Sequence, residues 1–133
     1  MIVDSSALVA IVFREPDFEQ ILVALMAAPS AGIGAPTAVE AGIAIGRRLG
    51  FAHPSVIHRV LQEARIAVIG FSQRHWVEAV LAYERFGRGR HPAALNFGDC
   101  LSYAVAKLAA EPLLCVGDDF AKTDVELVSV MIV

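Results

Sequence analysis

Charge is scarce in this chain, and cysteines and aromatic residues are few. Asp, Glu, Lys and Arg make up 19% of its 133 residues, against 56% hydrophobic residues. The net charge of −3 excludes a general nucleic-acid coat, which needs an excess of cations to displace counterions. It leaves a nuclease open, because local basic patches can hold phosphates beside an acidic centre. The two cysteines, Cys100 and Cys115, do not make a disulfide framework. Lying among apolar neighbours, they read as small buried thiols, which suits a cytoplasmic protein. No Cys/His cluster has zinc spacing, since His53, His58, His75 and His91 are dispersed. The uncharged stretch from Gln20 to Val39 is nearly long enough to cross a bilayer, but Pro29, Ser30, Gly32, Gly34 and Pro36 break it. No basic region precedes the first apolar run, and Asp4 interrupts that run, so neither a signal peptide nor a membrane span is expected. Repeats, low-complexity tracts and linkers are absent.

What is present fits one domain over residues 1–133. Ile2-Val3 reads as a short buried strand, and Asp4-Ser5-Ser6 opens a helix to Phe13. Asp17 is expected to cap a helix to about Ala27, with Phe18, Ile21, Leu22 and Leu25 at helical spacing. Ala31 to Ala35 reads as a strand. Thr37 is expected to open a helix to Leu49 that Gly50 ends. His53-Pro54-Ser55 opens another helix, Ile66 to Phe71 reads as a buried strand, and Ser72 caps a helix to Phe86. A Gly/Arg/Pro loop runs from Gly87 to Asn96, and Asn96 caps a helix to Ala110. Leu113 to Val116 reads as a strand, Gly117 to Asp124 as a loop, and Glu126 to Val133 as a last strand. Short apolar strands alternating with helices predict an α/β/α sandwich with a mostly parallel sheet.

The acidic residues fall at informative places. Asp4 follows the first strand, and Asp118 and Asp119 follow the strand at Leu113. Glu40 and Asp99 are expected in the first turns of their helices. In open parallel sheets, strand C-termini and the following helix N-termini share one edge, where ligand sites form. Carboxylates converging there repel one another, and one or more is pushed toward protonation unless a cation intervenes. A site of carboxylate oxygens alone suits Mg²⁺ or Mn²⁺ rather than Zn²⁺. Such an ion can activate a water against a phosphodiester. Each position also has a purely structural reading. Thr37-x-x-Glu40 and Asn96-x-x-Asp99 fit capping boxes, Asp4-Ser5-Ser6 fits a helix cap, and Gly117-Asp118-Asp119 fits a turn.

Four motifs in order resemble those of VapC-type PIN domains. They are Met1-Ile2-Val3-Asp4-Ser5-Ser6-Ala7-Leu8 and Pro36-Thr37-Ala38-Val39-Glu40, then the run from Gly89 to Cys100 that holds Leu95-Asn96-Phe97-Gly98-Asp99, and finally Val116-Gly117-Asp118-Asp119-Phe120 followed by Lys122-Thr123-Asp124. The resemblance covers nearly the whole chain. It implies a PIN fold, Mg²⁺-dependent cleavage of RNA with Mn²⁺ able to substitute, a cognate VapB-like antitoxin, and homodimerisation. Carried onto this chain, it makes Asp4, Glu40, Asp99 and one of Asp118 or Asp119 the acidic residues of the site. Asp4 and Asp99 would bind the metal most directly, and Glu40 would complete the pocket or orient the water. Ser6, Thr37 and Asn96 become candidate hydrogen-bonding supports. Val116 departs from the pattern, standing where many relatives carry Lys.

Between the two closing acids, Asp118 is expected to lie nearer the metal. The Asp119 carboxylate is expected to hold the turn by accepting backbone N–H groups of Lys122 or Thr123. Arg88 and Arg90, in the loop before the Asp99 helix, are expected to contact RNA. Arg47, Arg48, Arg85 and His91 are further candidates, or else solvated surface residues. The helices Asp17–Ala27 and Thr37–Leu49 are expected to receive an antitoxin helix. Two alternatives are a catalytically silent interaction module, which should have lost an acid, and a housekeeping PIN nuclease.

Overall fold

A computed structural model describes residues 1–51 and 55–130. Among these residues four strands form one parallel sheet: β1 (Ile2–Val3), β2 (Ala31–Gly34), β3 (Ile66–Ile69) and β4 (Leu113–Leu114), in the order β3-β2-β1-β4. The chain winds from β1 outward through β2 to β3, then returns to place β4 on the other side of β1. The strand order therefore reverses between β1 and β4. That reversal opens a crevice at the strand C-termini, the usual place for a ligand in such sheets.

Among the described residues six helices cover the sheet: α1 (Ser5–Val12), α2 (Phe18–Ala27), α3 (Ala35–Leu49), α4 (Val56–Glu63), α5 (Gln73–Phe86) and α6 (Phe97–Ala109). Neighbouring strand residues point to opposite faces, and the core divides accordingly. Ile2 and Leu113 join Phe86, Leu95 and Tyr103 under α5 and α6. Val3 and Leu114 join Leu8, Leu25 and Ile33 under α1, α2 and α3. The result is the expected α/β/α sandwich. Each fully buried Leu or Ile stabilises it by about 1.5–3 kcal/mol.

Several local expectations change. Helix α3 begins at Ala35, with Pro36 in its first turn, where a missing N–H costs nothing. Thr37 is therefore inside the helix rather than its cap, and Glu40 lies in the second turn rather than the first. Asp17 precedes α2 in a left-handed conformation (φ 68°) and makes no side-chain cap. Strand β3 is an edge strand, and Val68 is 55% exposed rather than buried. Among the described residues, the segment after Glu126 forms one parallel bridge, Leu127 to Leu113, in place of a strand. Residues 131–133 lie outside the described residues, as does the helix opening expected at His53-Pro54. Ser55, the last residue of that expected opening, caps α4, its hydroxyl accepting the His58 N–H at 3.3 Å.

Gly34 lets α6 approach the C-terminal end of β2. A methyl group there would lie 2.8 Å from Val105 Cγ2, and Val105 is buried and β-branched, with little freedom to give way. Gly34→Ala is expected to cost about 1–3 kcal/mol by overpacking. The check is the urea midpoint, and an unchanged midpoint contradicts this packing.

Candidate active site

Asp4 leaves β1 at the crevice and caps α1. Its side chain is buried, and its oxygens accept three hydrogen bonds. Oδ2 accepts the Ser6 N–H at 3.1 Å and the Ser6 hydroxyl at 2.5 Å. Oδ1 accepts the Ser102 hydroxyl at 2.5 Å. Ser6 Oγ in turn accepts the Val116 N–H at 3.0 Å, which ties the segment after β4 to Asp4. Ser102 has one hydroxyl hydrogen, and Asp4 takes it. At the 3.4 Å contact between Thr37 and Ser102, Thr37 is therefore the donor. Thr37 supports Asp4 through Ser102, a residue that sequence reasoning missed. Its signal was the spacing of three from Asp99, which puts both on one side of α6.

Asp99 lies in the first turn of α6, in a reciprocal capping box with Asn96. Asn96 Oδ1 accepts the Asp99 N–H at 2.8 Å, and Asp99 Oδ2 accepts the Asn96 N–H at 3.0 Å. The sequence spacing foretold this box. Glu40 arrives from α3, its Oε1 accepting the Ser5 hydroxyl at 2.6 Å. Its carboxylate rests over Gly98, where even a methyl group would sit 3.0 Å from the carboxyl carbon and closer still to Oε2. Gly98 thus brings Glu40 beside the start of the Asp99 helix.

The closing acids follow Gly117, which is left-handed at φ 102°. Phe120 is buried and anchors a single 3₁₀ turn, Phe120–Lys122. The turn is held by backbone, with Lys122 N–H donating to the Asp119 carbonyl at 3.3 Å and Thr123 N–H to the Phe120 carbonyl at 3.0 Å. The Asp119 side chain makes no cap bond. The role expected for its carboxylate in the turn is taken by carbonyls, which leaves the side chain available.

The acids act on one another. Burial raises the Asp99 carboxyl above the ordinary carboxylate range. The Asn96 N–H opposes that rise, and the charges of Asp4, Asp119 and Glu40 add to it. Asp118 is not among the charges that act there. Burial, with Asp4, Asp99 and Asp119 added, pushes the Cys115 thiol up to about 12. Burial and Asp99 push Cys100 up to about 11. Thiols raised in this way carry little thiolate at neutral pH. Cys115 is only partly buried, less than expected. Among the described residues, no three His, Cys, Asp or Glu side chains stand close enough together to hold a metal ion by themselves. The acids influence one another across an open crevice. That donor set, all carboxylate oxygen and mutually repelling, fits Mg²⁺, which keeps several waters and uses few protein ligands.

Four of the six residues expected as candidate RNA contacts are engaged elsewhere. Arg48 stacks 3.5 Å over the Phe13 ring. Arg85 pairs with Asp124, and Arg90 Nε donates to the Glu84 carbonyl at 3.0 Å. His91 packs edge-on against Phe86 and accepts the Ala93 N–H. Arg88 is exposed. Arg47 lines a groove of about 420 Å³ with Glu40, Ile43 and Phe97, so it is the arginine placed beside a site acid.

A carboxyl whose folded pKa is raised destabilises the fold as it ionises. Its favourable contribution is present below the unfolded value of 3.8 and is lost as pH rises through the folded value. Asp99→Asn keeps an acceptor for Asn96 and removes the charge. In EDTA at pH 7 it is expected to raise the melting temperature by a few degrees, with the gain vanishing near pH 3. A lower melting temperature at pH 7 contradicts the repulsion.

A family model for the PIN domain matches residues 1–126. Ribonuclease VapC36 of Mycobacterium tuberculosis is 43% identical over 127 residues, spanning 95% of this chain and 91% of the relative. Ribonuclease VapC of Mycolicibacterium smegmatis is 40% identical over 128 residues, spanning 96% and 99%. Among solved structures, M. tuberculosis VapC20, titled a sarcin-ricin loop cleaving toxin, matches with a TM-score of 0.69 and 16% identity over 93% of this chain and 95% of that one. A toxin-antitoxin complex from Klebsiella pneumoniae matches with a TM-score of 0.69 and 18% identity over 92% of each chain. At such identities these two structures speak for the fold alone. Sequence relatives and fold agree that the chain belongs to the PIN domain family, in its VapC ribonuclease branch.

Proposed function

We propose that this chain is a Mg²⁺-dependent endoribonuclease and the toxin of a VapBC-type toxin–antitoxin pair. The observation that carries the reading is the placement of three acids around the start of α6 at the crevice edge of the sheet: Asp4 bonded to Ser102, Glu40 resting over Gly98, and Asp99 held by Asn96. Its relatives' names supply the substrate class, RNA.

Asp4, Asp99 and Asp119 would hold the ion, with Asp119 taking the place first expected for Asp118. When bound, the ion supplies charge to offset the acids and Lewis acidity at the phosphodiester. The chain supplies the rest. Ser6 and Ser102 fix the Asp4 carboxylate, so its lone pairs are aimed before substrate arrives. Asn96 fixes Asp99. Ser5 occupies Glu40 Oε1, and Oε2 orients the attacking water and accepts its proton. Arg47 steadies the RNA backbone beside Glu40, and the exposed Arg88 extends that contact from the loop, whereas Arg90, first expected to join it, is bonded to the Glu84 carbonyl.

Two exposed apolar faces suit partners. On α5 and α6, Trp76 (53% exposed), Val80 and Phe97 (79% exposed) rim an apolar groove of about 340 Å³, the face proposed for a second copy. On α2 and α3, Val23, Met26, Val39 and Ile43 are exposed and suit an antitoxin helix. Among the described residues no helix is long and apolar enough to cross a membrane. The reading places the chain in the cytoplasm with its RNA.

Purified protein, freed of antitoxin, is expected to cut a susceptible RNA with Mg²⁺ or Mn²⁺ and to stop in EDTA. Asp4→Asn, Asp99→Asn and Asp119→Asn are each expected to abolish cutting in a folded protein, and Asp118→Asn to retain most of it. Full activity in EDTA sinks the metal mechanism, and loss in Asp118→Asn with retention in Asp119→Asn reverses the assignment. Co-expression with the small gene beside this one is expected to yield a stable, inactive complex. Separate elution with persisting toxicity contradicts the antitoxin pairing.

A further inference from the structure

Asp124 lies five residues beyond Asp119, outside the acid cluster, and the mechanism above does not use it. It is nevertheless the most heavily partnered exposed-side carboxylate of the site region. Oδ1 accepts the Tyr103 hydroxyl at 2.5 Å. Oδ2 accepts Lys107 Nζ at 3.0 Å and faces Arg85 at 3.4 Å. Partial burial alone would raise this carboxyl, but the bonds from Tyr103 and Lys107 and the charges of Lys107 and Arg85 hold it below the ordinary range. Tyr103 is buried, and Asp124 is the partner its hydroxyl finds.

The placement of these partners is informative. Asp99, Tyr103 and Lys107 stand four residues apart on α6, so they form one stripe along its surface. Residues 117–124 run beside that stripe, with Asp119 acting on Asp99 at one end and Asp124 bonded to Tyr103 and Lys107 at the other. Between them the segment is stiff. Phe120 is buried in the same cluster as Tyr103. The Thr123 hydroxyl donates to the Phe120 carbonyl at 2.7 Å and accepts the Val125 N–H at 3.3 Å. The other end is tied at Val116, whose N–H reaches Ser6. Asp119 itself has no side-chain cap bond to hold it, so its position depends on these two ends.

We infer that Asp124 is a positioning residue, whose bonds to Tyr103, Lys107 and Arg85 register residues 117–124 against α6 and so keep Asp119 within reach of Asp99. The inference rests on the metal-site reading and adds to it a residue that touches neither metal nor substrate.

The test is Mn²⁺ binding by titration calorimetry, with the full chain freed of antitoxin and held well below its melting temperature. Asp124→Asn is expected to weaken Mn²⁺ on the order of 10-fold or more, as losses of supporting contacts around metal ligands do. Tyr103→Phe removes one bond only and is expected to shift affinity the same way by less, so it carries the test where Asp124→Asn does not fold. Leu25→Ala, in the core on the far side of the sheet, is the stability control and is expected to leave Mn²⁺ affinity unchanged. The discriminating measurement is the double variant. In an Asp119→Asn background, Asp124→Asn is expected to cause little further loss, because the two act through one contact. Equal losses in both backgrounds, or wild-type affinity in Asp124→Asn and Tyr103→Phe, overturn the inference. A wild-type chain that binds no Mn²⁺ overturns the metal reading itself, and the inference with it.

Discussion

Repulsion among Asp4, Glu40, Asp99 and Asp119 is the constraint around which this molecule is arranged. Carboxylates brought together without a cation resist ionisation; burial is the first cause that raises the Asp99 carboxyl, and the charges of Asp4, Asp119 and Glu40 add to it. The fold holds them in place with donors. Three hydroxyls, on Ser5, Ser6 and Ser102, donate to Asp4 or Glu40. Asp99 has an N–H from Asn96 and the favourable end of α6, worth ~0.3–1 kcal/mol. Glu40, displaced from the first turn of α3, lacks that help and relies on Ser5. The topology supplies the meeting place, because the reversal of strand order between β1 and β4 leaves Asp4 at an open edge.

An arrangement of this kind trades stability for function. The same groups that would hold an ion weaken the ion-free fold, and they lie on elements tied together by long-range contacts. Asp4 meets Ser102 across 98 residues of sequence. Val116 meets Ser6 across 110. Such contacts fix the groups around Asp4 to distant parts of the chain, the kind of preorganisation on which electrostatic stabilisation depends.

The parts of this site that were legible in the sequence were those with a local signature. Asp4 could be placed because a strand ends at Val3, and the Asn96–Asp99 box because reciprocal capping has a fixed spacing. Thr37 was misplaced by one turn because Pro36 reads equally well as a breaker and as a first-turn residue. Ser102 carried only its spacing of three from Asp99 as a sign, since its partner is remote. The choice between Asp118 and Asp119 turned on Gly117, whose left-handed backbone removes the alternation that would otherwise orient the two side chains. The exposure of β3 was hidden for a similar reason, because whether an apolar strand is central or at an edge depends on the order of the whole sheet.

The central claim is that the acids are held apart from ionic balance until a divalent cation restores it. The most direct measurement is the melting temperature of the wild-type protein and of Asp99→Asn as Mg²⁺ is titrated in. The account predicts a rise for the wild type that continues with concentration, reaching about 2.7 kcal/mol of added stability at a hundred times the dissociation constant, and little or no rise for Asp99→Asn. Parallel curves for the two proteins, or a wild type indifferent to Mg²⁺ and Mn²⁺, would contradict it.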